Sequence, residues 1–371
     1  MSPSLVQLKV RHLKMRVFRR FLAEKGLLRS ADRSWEIAPA ENRKLMPAIM
    51  LADQFDKIIK FEERTTQDIE RVRALGGEAH FPALMAYEFN DAMLFDGAVV
   101  ANNCEQRILP YELSLPRAED YPVIDIEDGS IVSSYLGLQY FGHWLHSDMP
   151  LSLLAAQYGD SCYLEPPNTH PKKHQVSHHQ DYLSLLDLQW RSGVNMTFRK
   201  LTLLGDELNV APLAAARREL RGAVEKKLGP AKKQKRVFIR RGVSDHGSRN
   251  FVNEDAIADA LEAEGFEIVH PPSLSAEEIQ HAIYGANIVV SMEGSQTSHS
   301  IYFTQVGGLV IGITPPERYC SIYKPICDDF GYFYGIVVGD KVEDGFTANI
   351  DDIWRTIDLY EKQRTERHLE A

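Results

Sequence analysis

The chain is sparing with several things, and each shortage excludes a class. Four cysteines among 371 residues (Cys104, Cys162, Cys320 and Cys327) are scattered with no Cys-x-x-Cys pair. That spacing reads as reduced thiols, with no disulfide or zinc framework. No run of eighteen apolar residues occurs, so no segment is predicted to span a membrane. The first residues lack the apolar core and cleavage site of a secretory leader, and a cytoplasmic location is expected. Basic residues are outnumbered: the net charge of -10 argues against nucleic acid as a partner. There is no internal repeat and no low-complexity tract. What remains is ordinary globular material, long enough for two domains.

The most informative stretch is residues 236–316. Short apolar runs at 236–239, 266–269, 287–290 and 309–313 alternate with helical segments. This alternation predicts an α/β, doubly wound parallel sheet. Ligands on such sheets sit in the loops beyond the carboxyl ends of the strands. Those loops carry Arg240, Arg241 and Arg249, then Asn253 and Glu254 at a helix start, then Glu293, Gly294 and Ser295, with His299 one turn on. Arginines offer bidentate, charge-assisted hydrogen bonds to phosphate. Amides of Gly294 and Ser295 at a helix start would face an anion. The plainer alternative pairs the arginines with Asp245, Glu254 or Asp255 and makes Asn253 a cap. Ser275 with Glu278 reads as a capping box, a structural device.

Earlier in the chain the pattern is less regular. Residues 49–61 and 68–75 read as helices. Ala92 to Ala101, with Asp96-Gly97 at its middle, reads as a β-hairpin. Ile131 opens a strand, and residues 151–158 read as a helix. His143 precedes Trp144; a histidine suits proton transfer at neutral pH, and His146 and Asp148 lie within the same turn or two. The alternative is that His143 and Trp144 anchor a helix in the core. His170, His174, His178 and His179 suggest a metal, but Pro171 interrupts them and no carboxylate or thiolate stands at matching spacing. Residues 9–33 are strongly basic, from Lys9 to Arg33, with Leu8, Met15, Phe18 and Leu22 at helical spacing. Such a helix would either touch an anionic membrane surface or pack one stripe on the body. A second basic run around Gly229-Pro230 and Lys232 reads as a linker.

With these residues in view, residues 87–316 resemble the family 61 glycosyltransferases, in particular the bacterial capsule and surface-polysaccharide type. Phe141, His143, Trp144 and Pro150 match the family's aromatic-x-His-Trp motif. Arg240, Arg241, Arg249, Asn253 and Glu254 match its arginine-rich loop and helix start, and residues 265–279 match its Gly-Phe-Glu-Ile-Val pattern. Two departures stand out. Glu293-Gly294-Ser295 replaces a usual His-Gly-Ala. The family's Asp falls four residues past the His, whereas here Ser147 holds that place and Asp148 comes one later.

The resemblance implies a GT-B fold, two Rossmann-like doubly wound domains facing across a cleft. The domains would be a basic helical arm at 1–40, an acceptor-side domain at 41–228, a nucleotide-sugar domain at 229–345, and a terminal helix at 346–371 crossing back to the first domain. It implies an inverting, metal-independent transferase using a nucleotide sugar, UDP-linked, as co-substrate and no other cofactor. The acceptor would be a polysaccharide, glycolipid or other glycan, with peripheral contact at the inner membrane face. His143, Asp148 and Glu293 would be the catalytic candidates, and Arg240, Arg241, Arg249, Asn253, Glu254, Gly294, Ser295 and His299 would hold the donor. A catalytically silent nucleotide-sugar-binding homologue and a GT-B-like sugar-nucleotide epimerase are the alternatives.

Overall fold

The computed structural model describes residues 26–109, 121–165, 178–205, 210–231, 235–242 and 249–370. The helical part of the basic arm, Asp245, His170, His174 and the basic run at 232–234 lie outside the described residues. The chain is mixed α/β and divides into two compact units, Met1–Glu41 with Phe81–Ala216, and Asn42–His80 with Arg217–Ala371. The chain passes from one unit to the other three times, after Glu41, His80 and Ala216. Residues 42–80 leave the first unit's stretch of sequence and belong to the second.

The second unit holds a six-stranded sheet. Its order is Glu267–Val269, Lys235–Ile239, Ala286–Met292, Leu309–Thr314, Phe333–Val338 and Ile49–Met50. Every neighbouring pair is parallel. The inner strands are continuous buried apolar runs, as a parallel sheet covered on both faces requires. Residues 49–61, expected to be helical, instead supply the edge strand. Gln54 shows why: its Oε1 accepts the Val338 amide at 2.6 Å, and its Nε2 donates to Asp352 at 3.0 Å. An edge N–H left open at that point would be a buried, unmade hydrogen bond. The helix Gln67–Leu75 and the capping box of Ser275 with Glu278 form as expected.

The apolar face of the terminal helix Ile350–Glu370 covers the six-stranded sheet of its own unit. Ile353, Ile357 and Tyr360 are buried in one cluster with Ile288, Val290, Ile311 and Val337. The Tyr360 hydroxyl donates to the Gly307 carbonyl at 2.8 Å. A parallel sheet of such apolar strands leaves a face that must be covered, and the nearest following helix does it.

The first unit departs further from expectation. Its eight-stranded sheet runs Arg191–Gly193, Asp160–Leu164, Val123–Ile131, Asn195–Leu204, Leu84–Phe95, Ala98–Ala101 and Cys104–Arg107, with Arg33–Ala38 also on Leu84–Phe95. The first four strands are parallel and the rest antiparallel. The first unit is thus a mixed sheet, not a doubly wound parallel one. The cause is local. Asp96 and Gly97 both have positive φ, 50° and 71°, the geometry of a tight two-residue hairpin. That turn folds the chain back beside itself and fixes antiparallel pairing. Within the arm, Arg33–Ala38 is a strand of this sheet and not helix.

Ile353 is fully buried. Ile353→Ala should therefore lower unfolding free energy by about 2–5 kcal/mol, read as a shift of the urea midpoint at unchanged slope. A loss below about 0.5 kcal/mol, the range of surface substitutions, would show the terminal helix to be an appendage.

Candidate functional site

In the second unit the strand order reverses between Lys235–Ile239 and Ala286–Met292: one connection runs outward to Glu267–Val269, the other to Leu309–Thr314. The crevice beyond the carboxyl ends at such a reversal is the usual ligand position. Residues 240–242 and 293–295 stand directly there. Glu293 is buried, its amide donating to the Ile313 carbonyl at 2.8 Å. Three guanidiniums converge on it. Arg249 Nη2 and Arg318 Nη1 lie 3.3 and 3.1 Å from Glu293 Oε2. Arg249 Nη2 and Arg241 Nη1 lie 3.1 and 3.4 Å from its backbone carbonyl. Arg318 Nη2 reaches Glu62 at 3.5 Å.

This crowding has an electrostatic cost. Burial first, and repulsion from Arg249 second, push the Arg241 pKa down to about 10. The Nε atoms of Arg241 and Arg249 are buried and find no hydrogen-bond partner among the described residues. Donors in that state are suited to an anion with several acceptor oxygens. Gly294 makes the approach feasible, because a Cβ there would collide with Arg241 and press on Arg249. The turn is braced from behind: the buried Tyr323 hydroxyl donates to the Gly294 carbonyl at 2.7 Å and lies 2.8 Å from Ser298 Oγ.

Other expected donor-binding residues are used by the chain itself. Glu254 accepts the amides of Arg241 and Gly242 at 2.7 and 2.9 Å, so it shapes the loop that carries Arg241. Asn253 clamps Ala348 through both of its amide atoms, at 2.8 and 3.0 Å. Arg240 is paired with Asp255 and lies 3.8 Å from Glu254, away from Glu293. His299 is buried within Ser295–Ser300, which is a six-residue 3-10 helix, shorter than expected. So short a helix adds little dipole at Gly294 and half-buried Ser295, leaving the arginines as the main positive charge. Sequence reasoning missed Arg318 and Glu62. Arg318 stands four residues beyond Leu309–Thr314 and obeys the same after-the-strand rule. Nothing in the sequence signals Glu62.

In the first unit, the helix carrying His143 is interrupted. Phe141–His143 and Met149–Ala155 are α-helical, but Trp144–Asp148 is one π-helical turn. Such turns insert a residue into a helix and cluster at functional sites. With a wider turn, a residue five positions on takes the place that four positions give in an α-helix. His143, Ser147 and Asp148 all line one cavity of about 250 Å³, together with Ser133, Ser134 and Tyr135. Trp144 points elsewhere, fully buried, stacked on His179 at 3.7 Å and on Phe141 at 5.8 Å. The histidines near the suspected metal cluster that are described, His178 and His179, pack on aromatic rings.

Asp148 is completely buried. Its Oδ2 accepts the Ser134 amide at 3.3 Å, while Oδ1 has no partner among the described residues. Burial raises its pKa well above the ordinary carboxylate value, and the Ser134 bond offsets this only in part. A Cβ at Gly137 would run into this carboxylate, so the glycine leaves room for it. His146 Nδ1 lies 2.8 Å from Ser147 Oγ.

Residues 141–311 match the family model Glycosyltransferase 61. The chain is a glycosyltransferase. A search of the curated proteins finds no match to the chain. The part of the transferase that matches includes His143, Asp148, Arg241, Arg249 and Glu293; Glu62 and Arg318 lie outside it. No helix among the described residues is long and apolar enough to cross a membrane.

The raised pKa of Asp148 has a thermodynamic consequence. A carboxyl that holds its proton more tightly when folded loses native stability as pH climbs from the unfolded value toward the native one. Asp148→Asn removes that loss. The melting temperature of the variant relative to the parent should therefore rise between pH 4 and pH 7. A difference that does not change with pH would mean that the group titrates normally.

Proposed function

We propose that this glycosyltransferase inverts configuration without a metal, moving a sugar from a UDP-linked donor to a hydroxyl of a polysaccharide, glycolipid or other glycan acceptor. Bacterial surface-polysaccharide synthesis at the cytoplasmic face is the setting this reading favours. The observation that carries it is the convergence of Arg241, Arg249 and Arg318 at the strand-order reversal, with the Nε atoms of Arg241 and Arg249 unpartnered among the described residues. A departing nucleoside diphosphate gains negative charge as its bond to the sugar breaks. Preset cations stabilise that charge without reorganising.

In this reading the second unit holds the donor and the first binds the acceptor. Acceptor oxygen bonds to the anomeric carbon as the bond from that carbon to the diphosphate oxygen breaks. The proton of the acceptor hydroxyl passes to a base in the first unit. Asp148 suits that role best, since its burial moves its pKa upward toward working pH and its Oδ1 has no partner among the described residues. His143 lines the same cavity and is the second candidate. Glu293 is engaged with two arginines, which supports a place in the donor site over the role of base.

Arg249→Ala should weaken UDP binding by about 1.5–3 kcal/mol, the worth of hydrogen bonds to a charged group. Calorimetry showing unchanged affinity in a folded variant would take the arginines out of the donor site. Asp148→Asn should lower turnover by on the order of a hundredfold or more at nearly constant donor affinity. Near-normal turnover would move the base to His143. A chelator should leave the rate unaltered, and activity restored only by a divalent cation would refute the metal-free reading.

A further inference from the structure

The arginine cluster contains an oddity: it already holds an anion of its own. Glu293 places one carboxylate oxygen, Oε2, against both Arg249 and Arg318. One oxygen shared by two guanidiniums satisfies the cluster poorly, and the Nε atoms of Arg241 and Arg249 find no partner among the described residues. A diphosphate brings more acceptor oxygens than a carboxylate and would satisfy more of these donors. The backbone carbonyl of Glu293 would keep its contacts with Arg241 and Arg249 whether or not the side chain moved.

Arg318 is built to survive such an exchange. Its two terminal nitrogens face different carboxylates, Nη1 toward Glu293 and Nη2 toward Glu62. Losing Glu293 would leave the second partner in place. Glu62 is fixed in turn, its amide donating to the Tyr319 carbonyl at 2.9 Å while the Tyr319 amide donates to Lys60 at 2.9 Å. The amides of Ile59 and Lys60 both donate to the Pro316 carbonyl, at 2.8 and 3.0 Å. Residues 59–62 thus lace the loop that carries Arg318. This gives the detour of residues 42–80 into the second unit a purpose beyond the edge strand.

We infer that Glu293 is a built-in stand-in for the donor's diphosphate, and that Arg318, steadied by Glu62, is a third phosphate-binding arginine exposed when Glu293 yields its place. The inference rests on the reading that this cluster is the donor site. It makes Glu293 a competitor of the ligand and Glu62 a positioning residue acting through Arg318. A site that fills itself keeps three like charges together without a ligand, at some expense in affinity.

The test is calorimetric titration of the full chain with inorganic pyrophosphate and with UDP. Glu293→Gln removes the competing charge and keeps the shape, so both ligands should bind about tenfold tighter, because the competent state no longer has to displace a carboxylate. Arg318→Ala should weaken both by about tenfold or more in a chain that still unfolds cooperatively. Glu62→Gln should weaken them in the parent but add nothing to Arg318→Ala, the mark of action through that arginine. Unchanged or weaker binding by folded Glu293→Gln would overturn the stand-in. Should that variant fail to fold, unchanged affinity in Arg318→Ala overturns the arginine's part by itself. A parent that binds neither ligand would overturn the donor-site reading and the inference with it. A parent that binds both while Glu293→Gln binds no tighter would overturn the inference alone.

Discussion

Much of the second unit is organised around holding like charges close together. Two unit charges about 4 Å apart repel by roughly 4 kcal/mol near a protein surface, and Arg241, Arg249 and Arg318 all reach the same residue. The arrangement persists because Glu293 stands among them, Glu254 holds the Arg241 loop by two amides, and Glu62 takes the far side of Arg318. Gly294 supplies the space that any side chain would fill. Remove the need for that cluster, and Tyr323 bracing Gly294 or residues 59–62 lacing the Arg318 loop lose their evident purpose.

The first unit solves a different problem, placing a carboxyl where water is scarce and still leaving it accessible. The π-helical turn at Trp144–Asp148 sends neighbouring residues to opposite tasks. Trp144 fixes the helix through stacked rings, while His143, Ser147 and Asp148 line a cavity. The base proposed here would need both rigidity and an elevated affinity for protons. Burial among Ser134, Gly137 and the helix supplies the second, and the aromatic stack supplies the first.

How far the sequence was legible follows from the range of the forces involved. Alternating short apolar runs after residue 235 revealed the parallel sheet, because its inner strands are buried on both faces and must be apolar throughout. Asp96-Gly97 revealed its hairpin and Ser275 with Glu278 their cap, because these signals are local. Ile49–Met50 looked helical because two residues of edge strand carry no period of their own; the decision came from Val338 and Asp352, nearly three hundred residues away in sequence. Arg241 and Arg249 were legible as a cluster after a strand. Arg318 was not, because its loop was read as the end of the pattern, and Glu62 reaches the site only through the return of residues 42–80. The π-helical turn that sets Ser147 and Asp148 on one cavity was not legible, because nothing local in the sequence marks the wider turn.

Recognition of a diphosphate by the second unit's arginine cluster is the proposal on which the donor site depends. Its most direct test is titration of the unaltered chain with uridine, UMP and UDP at several salt concentrations. The account predicts that affinity climbs steeply from uridine to UDP and that the UDP advantage shrinks as salt rises, since the added binding is ionic. Equal affinity for uridine and UDP, or a UDP preference indifferent to salt, would contradict it.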